Sequence, residues 1–354
     1  MILAVNPGST STKIAVFEFK TELFQSVIRH SSQELNLFPS IRDQLPFRIN
    51  LVMEQLEVAG ISLAEVGIVI GRGGLVRPLA SGVYRVNDLM REHLASGFQG
   101  QHASNLGGLI ADLIAQNCPH PVIACIADPV VVDELQPVAR ISGHPLFRRN
   151  SVFHALNQKA VARKYACSVG KDYRDLNLII AHLGGGISVG AHQNGQVVDV
   201  NQALDGDGPF SPERSGSLPA GQLVDLCFDG RYTQAQVRSM ICGKGGLVAY
   251  CDSNDVQQSV GKAINGDAHT ELIIKAMCYQ VAKEIGAMGA VLKGKVDRII
   301  LTGGIAYNQW ITDMITGYVS YIAPVTLSPG EDEMAALASN AQMVLEGTLP
   351  LLDY

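Results

Sequence analysis

Residues 1–19 read MILAVNPGSTSTKIAVFEF. Two apolar runs, ILAV and KIAVFEF, flank a cluster of Pro, Gly, Ser and Thr, the pattern of two strands joined by a short turn. A phosphate loop or a dinucleotide fold needs a helix after its glycine loop. The spelling excludes them as well: GSTSTK lacks the G-x-x-x-x-G-K-[ST] spacing, and no glycine cluster fits G-x-G-x-x-G.

The theme returns at residues 176–200, LNLIIAHLGGGISVGAHQNGQVVDV. A strand over Leu178 to Ala181 runs into Gly184, Gly185 and Gly186, and a second strand covers Ile187 to His192. Asn194-Gly195 is a strong hairpin turn leading to QVVDV. A third glycine turn follows a strand ending at Thr302, where Gly303-Gly304 leads towards a helix. Two halves that each open strand, small-residue turn, strand predict a duplicated α/β fold: two lobes with a nucleotide cleft. The expected lobes are 1–149, joined by a C-terminal helix at about 330–354, and 150–329. Near that boundary a helix is expected with Asn150 or Ser151 as N-cap and Phe153, Leu156, Ala160 and Tyr165 along its apolar side.

Composition narrows the functional classes. The 354 residues suit two domains, and 47% are apolar. Only 17% are charged, against about 25% typically, which suggests extensive buried surface, including a subunit interface. A net charge of −6 and no Lys/Arg cluster argue against nucleic acid. Seven cysteines without C-x-x-C spacing read as reduced thiols in a cytoplasmic protein. No basic leader precedes the first strand, and no run of 18 apolar residues predicts a membrane span.

Ser9, Thr10, Ser11 and Thr12, with the backbone N–H groups of a tight turn, can donate to phosphate oxygens, and Lys13 adds charge. Alone, such a turn reads first as a polar hairpin. The matching GGGIS loop favours a phosphate chain gripped from two sides. Arg72 in GRGGLVRP and Arg214 in PFSPERSG offer planar forks for carboxylate or phosphate, although either alone also reads as an ion-paired surface residue. Asp128 ends an apolar strand, where α/β active sites gather, and could hold Mg²⁺. Glu333 stands near a helix start, where capping is the simpler reading. His154, in the first turn of its helix, could donate to a transferring phosphoryl group or simply support packing. His182, before the triple glycine, and His102 suit phosphate or substrate contact.

In order, NPGSTSTK, GRGG, QHASNLG, FHALNQKAVAR, AHLGGGISVGAH, DGDGPFSPERSG, GKGGLVAY and LTGGIA span the chain. It resembles the butyrate kinases, short-chain fatty-acid kinases of the acetate kinase family. The resemblance implies an actin-like ATPase (ribonuclease H-like) fold and reversible, ATP- and Mg²⁺-dependent formation of butanoyl phosphate. It implies that Asn6, Ser9 and Ser11 face metal and phosphates, supported by Lys13, with Thr10 kept as a nucleotide-binding candidate of the same turn. Arg72 and Arg214 would hold carboxylate and phosphoryl, and His154 would meet that phosphoryl group. His182 with Gly184, Gly185 and Gly186 would form the second phosphate loop. Asp128 would orient substrate, Glu333 would serve Mg²⁺, and Gly303, Gly304 and Ile305 would lie beside adenosine. Gly74, His102 and Phe153 complete the expected substrate pocket.

Two departures stand out. Acetate kinases commonly read Arg-Val-Val where this chain has Arg72-Gly73-Gly74, which suggests room for a longer acyl tail, each buried CH₂ contributing about 0.8 kcal/mol. Asp255-Val256-Gln257 replaces their Asp-x-Arg near the adenine. The competing readings are a kinase for isobutanoate, propanoate or acetate, and a nucleotide-gated scaffold. The low charge content and the resemblance suggest a homodimer or larger homo-oligomer.

Overall fold

The computed structural model describes all residues, Met1–Tyr354. The chain divides into two compact units, Met1–Val132 with Asp332–Tyr354, and Asp133–Glu331. Strands of the first unit are β1 (Ile2–Pro7), β2 (Ser11–Glu18), β3 (Thr21–Arg29), β4 (Ile68–Arg72), β5 (Val83–Arg85) and β6 (Ile123–Ala127). The second contains β7 (Leu178–Leu183), β8 (Ile187–Gln193), β9 (Gln196–Val200), β10 (Arg298–Gly303) and β11 (Val325–Pro329), and β12 (Leu351–Asp353) returns to the first.

The first sheet runs β12-β5-β6-β4-β1-β2-β3 and the second β11-β10-β7-β8-β9. Five strands correspond one to one. In each unit two strands of an antiparallel meander lie on one side of the opening strand, and two parallel strands lie on the other. The duplication expected from the sequence is therefore present at the level of strand order.

Six helices matter here: α1 (Leu45–Val58), α2 (Asn105–Gln116), α3 (Ala155–Ser168), α4 (Ala268–Val291), α5 (Gln309–Val319) and α6 (Glu333–Leu345). In the first unit α2 packs on β4 and β6 and α6 on β1 and β4. That cover explains why β1 is buried at all six positions and reads as a continuous apolar run. In the second unit α4 packs on β7 and β8, α5 on α4, and α3 on β7. Each unit has its own core, centred on Leu3, Val5, Ile110 and Ile126 in one and on Ile179, Val189, Ile274 and Ile285 in the other.

Two expectations are corrected. The second unit begins at Asp133 rather than 150, and its last residue is Glu331 rather than 329. Residues 133–149 are tied to that unit: Gln136 N–H donates to Val198 O at 3.0 Å, Arg149 pairs with Asp199 at 2.9 Å, and Lys159 pairs with Glu134 at 2.6 Å. The helix at the boundary starts at Ala155 with His154 as N-cap, not Asn150 or Ser151. Ala160 and Tyr165 are only half-buried, whereas Asn157, Gln158 and Lys159 are buried. An apolar pattern cannot mark a helix face that buries polar groups.

All seven cysteines are free thiols. No helix is long and apolar enough to cross a membrane.

Candidate active site

In the first unit the hairpin register sets Asn6 opposite Lys13, and β1 pairs in parallel with β4, which ends at Arg72. Neighbouring residues on paired strands share a face. Arg72 reaches Glu333 through both terminal guanidinium nitrogens, Nη2 at 3.1 Å from Oε1 and Nη1 donating to Oε2 at 3.2 Å. Asn6 Nδ2 donates to the same Oε2. The carboxylate of Glu333 is thus a partly open acceptor at the carboxyl ends of two strands, its side chain 17% exposed. Capping does not explain it, because Asp332 performs that task, accepting from Ala335 N–H at 3.0 Å. One carboxylate and one amide oxygen are donor types that Mg²⁺ takes, and Arg72 engages both here, its Nη1 also donating to Asn6 Oδ1 at 3.4 Å.

Beneath the Gly8–Ser11 turn lies Arg48, from α1, which is fully buried. Its guanidinium donates to Gly8 O at 2.8 Å, Ser11 O at 3.0 Å and Ser9 O at 3.1 Å. Gln44 Oε1 and Thr12 Oγ1 take its remaining bonds. Thr10 O accepts from His30 N–H at 2.9 Å. In a planar trans peptide the N–H points away from the C=O of the preceding residue. Carbonyls drawn inward at Gly8, Ser9 and Thr10 therefore turn the N–H groups of Ser9, Thr10 and Ser11 outward, beside the exposed Ser9 and Thr10 side chains. N–H groups turned outward in this way are available to an anion. Burial draws the Arg48 guanidinium down to about 10. Burial, and then the nearby Arg48 charge, lower His30, keeping that imidazole neutral. Thr12, expected among the phosphate donors, faces inward instead and bonds to His30 Nε2 at 2.9 Å.

Asp128 follows β6 in a left-handed conformation, φ 37°, and is buried. Its Oδ1 accepts from Ser81 Oγ at 2.6 Å and Gly82 N–H at 2.9 Å, so this carboxylate clasps the 81–82 turn. The His102 ring is exposed, with Nδ1 2.7 Å from Ser104 Oγ.

In the second unit β7 delivers His182 to the triple-glycine turn. Its Nδ1 lies 2.8 Å from Asn157 Oδ1, and its Nε2 approaches Glu331 Oε1 at 3.0 Å without hydrogen-bond alignment. The His154 ring stacks on it at 3.8 Å with an interplanar angle of 11°. Arg214 crosses the turn and donates to Ala203 O at 2.6 Å. A Cβ on Gly186 would overlap its guanidinium, so the glycine there makes room for Arg214. Gly185 O accepts from Ser211 Oγ at 2.7 Å and Glu213 N–H at 3.3 Å. Gly303 exchanges backbone bonds with Gly330, Gly304 is exposed and Ile305 is buried in the core. The Ile305 side chain is therefore not available to a ligand. Phe153 is likewise interior, 2% exposed.

The Acetokinase family model matches residues 142–317. Butyrate kinase 2 of Clostridium acetobutylicum is 54% identical over 346 residues, 98% of this chain and 97% of that protein. Butyrate kinase 1 of the same organism is 52% identical over 353 residues, 100% and 99% of the two chains. The chain belongs to the butyrate kinases. Among solved structures, Porphyromonas gingivalis acetate kinase superposes with TM-score 0.78 at 19% identity, covering 97% of this chain and 99% of its own. Acetate kinase from Entamoeba histolytica gives 0.75 at 16% identity, covering 96% and 98%. This butyrate kinase family member thus has the acetate kinase fold.

One sequence expectation for it changes. A Cβ on Gly74 would lie 2.6 Å from Asn105 Cα and Oδ1 and 2.8 Å from a Leu94 methyl. The space beside Gly74 belongs to the start of α2, whose Asn105 Oδ1 also accepts from Leu75 N–H at 2.8 Å. Gly74→Val is therefore expected to lower stability by about 1–3 kcal/mol through overpacking, not simply to shorten an acyl pocket. Thermal unfolding checks this; an unchanged Tm with a switch to acetate would restore the pocket explanation. Asp255 serves as the N-cap of helix Val256–Ile264, accepting from Gln258 N–H at 2.9 Å.

Sequence reasoning did not single out Arg48, Gln158, Glu213 or Glu331, and it read Ser188 only as part of the GGGIS loop. Only Gln158 carried a usable signal, standing four residues after His154 and hence on the same helix face.

Proposed function

We propose that this butyrate kinase family member transfers the γ-phosphoryl group of ATP reversibly to the carboxylate of butanoate, giving butanoyl phosphate and ADP. Family membership carries the reaction class, and the Asn6–Arg72–Glu333 cluster is the geometric observation that supports it best. An acyl carboxylate is already a nucleophile. One carboxylate oxygen attacks phosphorus while the bond to the β–γ bridging oxygen breaks, so no proton has to be removed. Protein groups need only position the reactants and neutralise charge.

Arg72 and Arg214 would supply that charge, their forks suited to carboxylate and phosphoryl oxygens. His154 would donate a hydrogen bond to the phosphoryl group. The N–H groups of Ser9, Thr10 and Ser11 and the Gly184–Gly186 turn would take the phosphate chain, with the backbone of Gly303–Ile305 beside the nucleoside. Glu333 and Asn6 would hold Mg²⁺, which neutralises phosphate charge when bound. Asp128 would act by holding the 81–82 turn. Free thiols support a cytoplasmic setting, and the 17% charged content supports a homodimer or larger homo-oligomer.

The test is initial rates with MgATP and acetate, propanoate, butanoate, isobutanoate or pentanoate, trapping acyl phosphate with hydroxylamine. The expected outcome is a kcat/KM maximum at butanoate. A one-carbon change is worth about 1–3 kcal/mol in an apolar pocket, so a flat profile or a maximum at acetate overturns the acyl assignment. ATP hydrolysis without acyl phosphate would favour a nucleotide-gated scaffold.

A further inference from the structure

A line of buried polar side chains runs through the second unit and ends on His154. Tyr173 Oη lies 2.6 Å from His192 Nδ1, and His192 Nε2 lies 3.0 Å from Gln158 Oε1. Gln158 Nε2 lies 3.1 Å from Ser188 O and 2.9 Å from Ser188 Oγ. Ser188 Oγ in turn lies 2.9 Å from His154 Nδ1. Gln158, Ser188 and His192 are all fully buried, so each group must find its partner inside the protein.

One backbone carbonyl sets the direction of this line. A carbonyl only accepts, so Ser188 O forces the amide nitrogen of Gln158 to face Ser188. The Gln158 oxygen must then face His192, whose Nε2 carries the hydrogen and whose Nδ1 accepts from the Tyr173 hydroxyl. A serine hydroxyl has two acceptor positions and one hydrogen. The Ser188 acceptor positions are taken by Gln158 Nε2 and, at 3.4 Å, by the backbone N–H of His154. Its hydrogen is left for His154 Nδ1. Burial, and then the Lys159 charge, hold His192 far below the usual histidine range, so it stays neutral.

We infer that Tyr173, His192, Gln158 and Ser188 form a positioning strut that holds His154 as the neutral imidazole with its proton on Nε2. All four bonds donate in one direction, and aligned bonds polarise and strengthen one another. The stack on His182 fixes the ring plane, and the strut fixes rotation within that plane. Resting on the proposed reaction, this assigns Nε2–H as the donor that His154 presents to phosphoryl oxygen, with the ring neither base nor cation.

The test uses the full-length enzyme with ¹⁵N-labelled histidine and long-range ¹H–¹⁵N correlation, His154 being assigned by the loss of its signals in His154→Gln. The parent is expected to show a protonated Nε2 and a pyridine-like Nδ1. Ser188→Ala should average the two nitrogen signals and lower kcat about 10-fold, the worth of about one hydrogen bond, with both KM values within about twofold. Tyr173→Phe, at a half-buried position that tolerates the change, should shift the His154 signals in the same direction by less. Protonated Nδ1 in the parent, or unchanged His154 signals and kcat in both variants, overturns the inference. A parent with the Nε2–H signature that makes no acyl phosphate would support the strut and overturn the reaction.

Discussion

Arg214→Ala is expected to lower kcat about 10³-fold or more, the scale of other arginines that meet a transferring phosphoryl group. The side chain crosses the triple-glycine turn and is anchored by a single bond to Ala203 O, which leaves most of its fork for a ligand. A catalytic role predicts a loss in kcat and in kcat/KM together. A loss confined to KM would make Arg214 a ground-state binding residue. Gly186→Ala gives an independent reading, because its methyl would occupy the guanidinium position. The far end of a flexible side chain moves aside at little cost, so Tm should hold while kcat falls. Hydroxamate trapping with saturating substrates, alongside thermal unfolding, measures both quantities. Full activity in Gly186→Ala would mean that the observed position of Arg214 is not the working one.

Arg48→Met is expected to be the most damaging change outside the residues that meet substrate. It would strip donors from the part-buried carbonyls of Gly8, Ser9 and Ser11 and from the buried Gln44 Oε1. Unmet buried acceptors and a disordered turn should destabilise the protein by about 2–5 kcal/mol. The turn would also lose the tension that faces its N–H groups outward, so KM for ATP should rise more than KM for butanoate. Arg48→Lys should not rescue it, since one ammonium cannot reproduce a planar fork that spans three carbonyls. Thermal unfolding and ATP titration of initial rates decide the matter. A normal Tm and normal KM would show that the hairpin holds its turn without this support.

What could be read along the chain was what short-range chemistry controls. The strand–turn–strand openings at 1–19 and 176–200, the Asn194-Gly195 turn (φ 53° and 76°) and the recurrence of the theme follow from periodicity and turn residues. The motif order was enough for the family, since each motif is long. Asn6 and His182 stand beside these turns, and Arg72, His154 and Arg214 stand out by their own motifs, GRGG, FHALNQ and SPERSG.

The remainder depends on contacts between residues far apart in sequence. Arg48 looks like any helical arginine in LPFRINLV until α1 folds beneath a turn about forty residues earlier. Gly74 reads as spare room until the start of α2 fills it, and Gly186 as a phosphate cradle until Arg214 lies across it. Glu333 reads as a cap until Asp332 takes that role and Arg72 claims its carboxylate. Sequence by itself determined the duplicated strand–turn pattern, the family and the residue types available for phosphoryl transfer, because local propensity and spacing encode them. Only the tertiary structure decided which glycines are filled, which carbonyls are drawn inward and which nitrogen of His154 holds the proton, because hydrogen-bond saturation and close packing are settled among groups that the chain itself keeps apart.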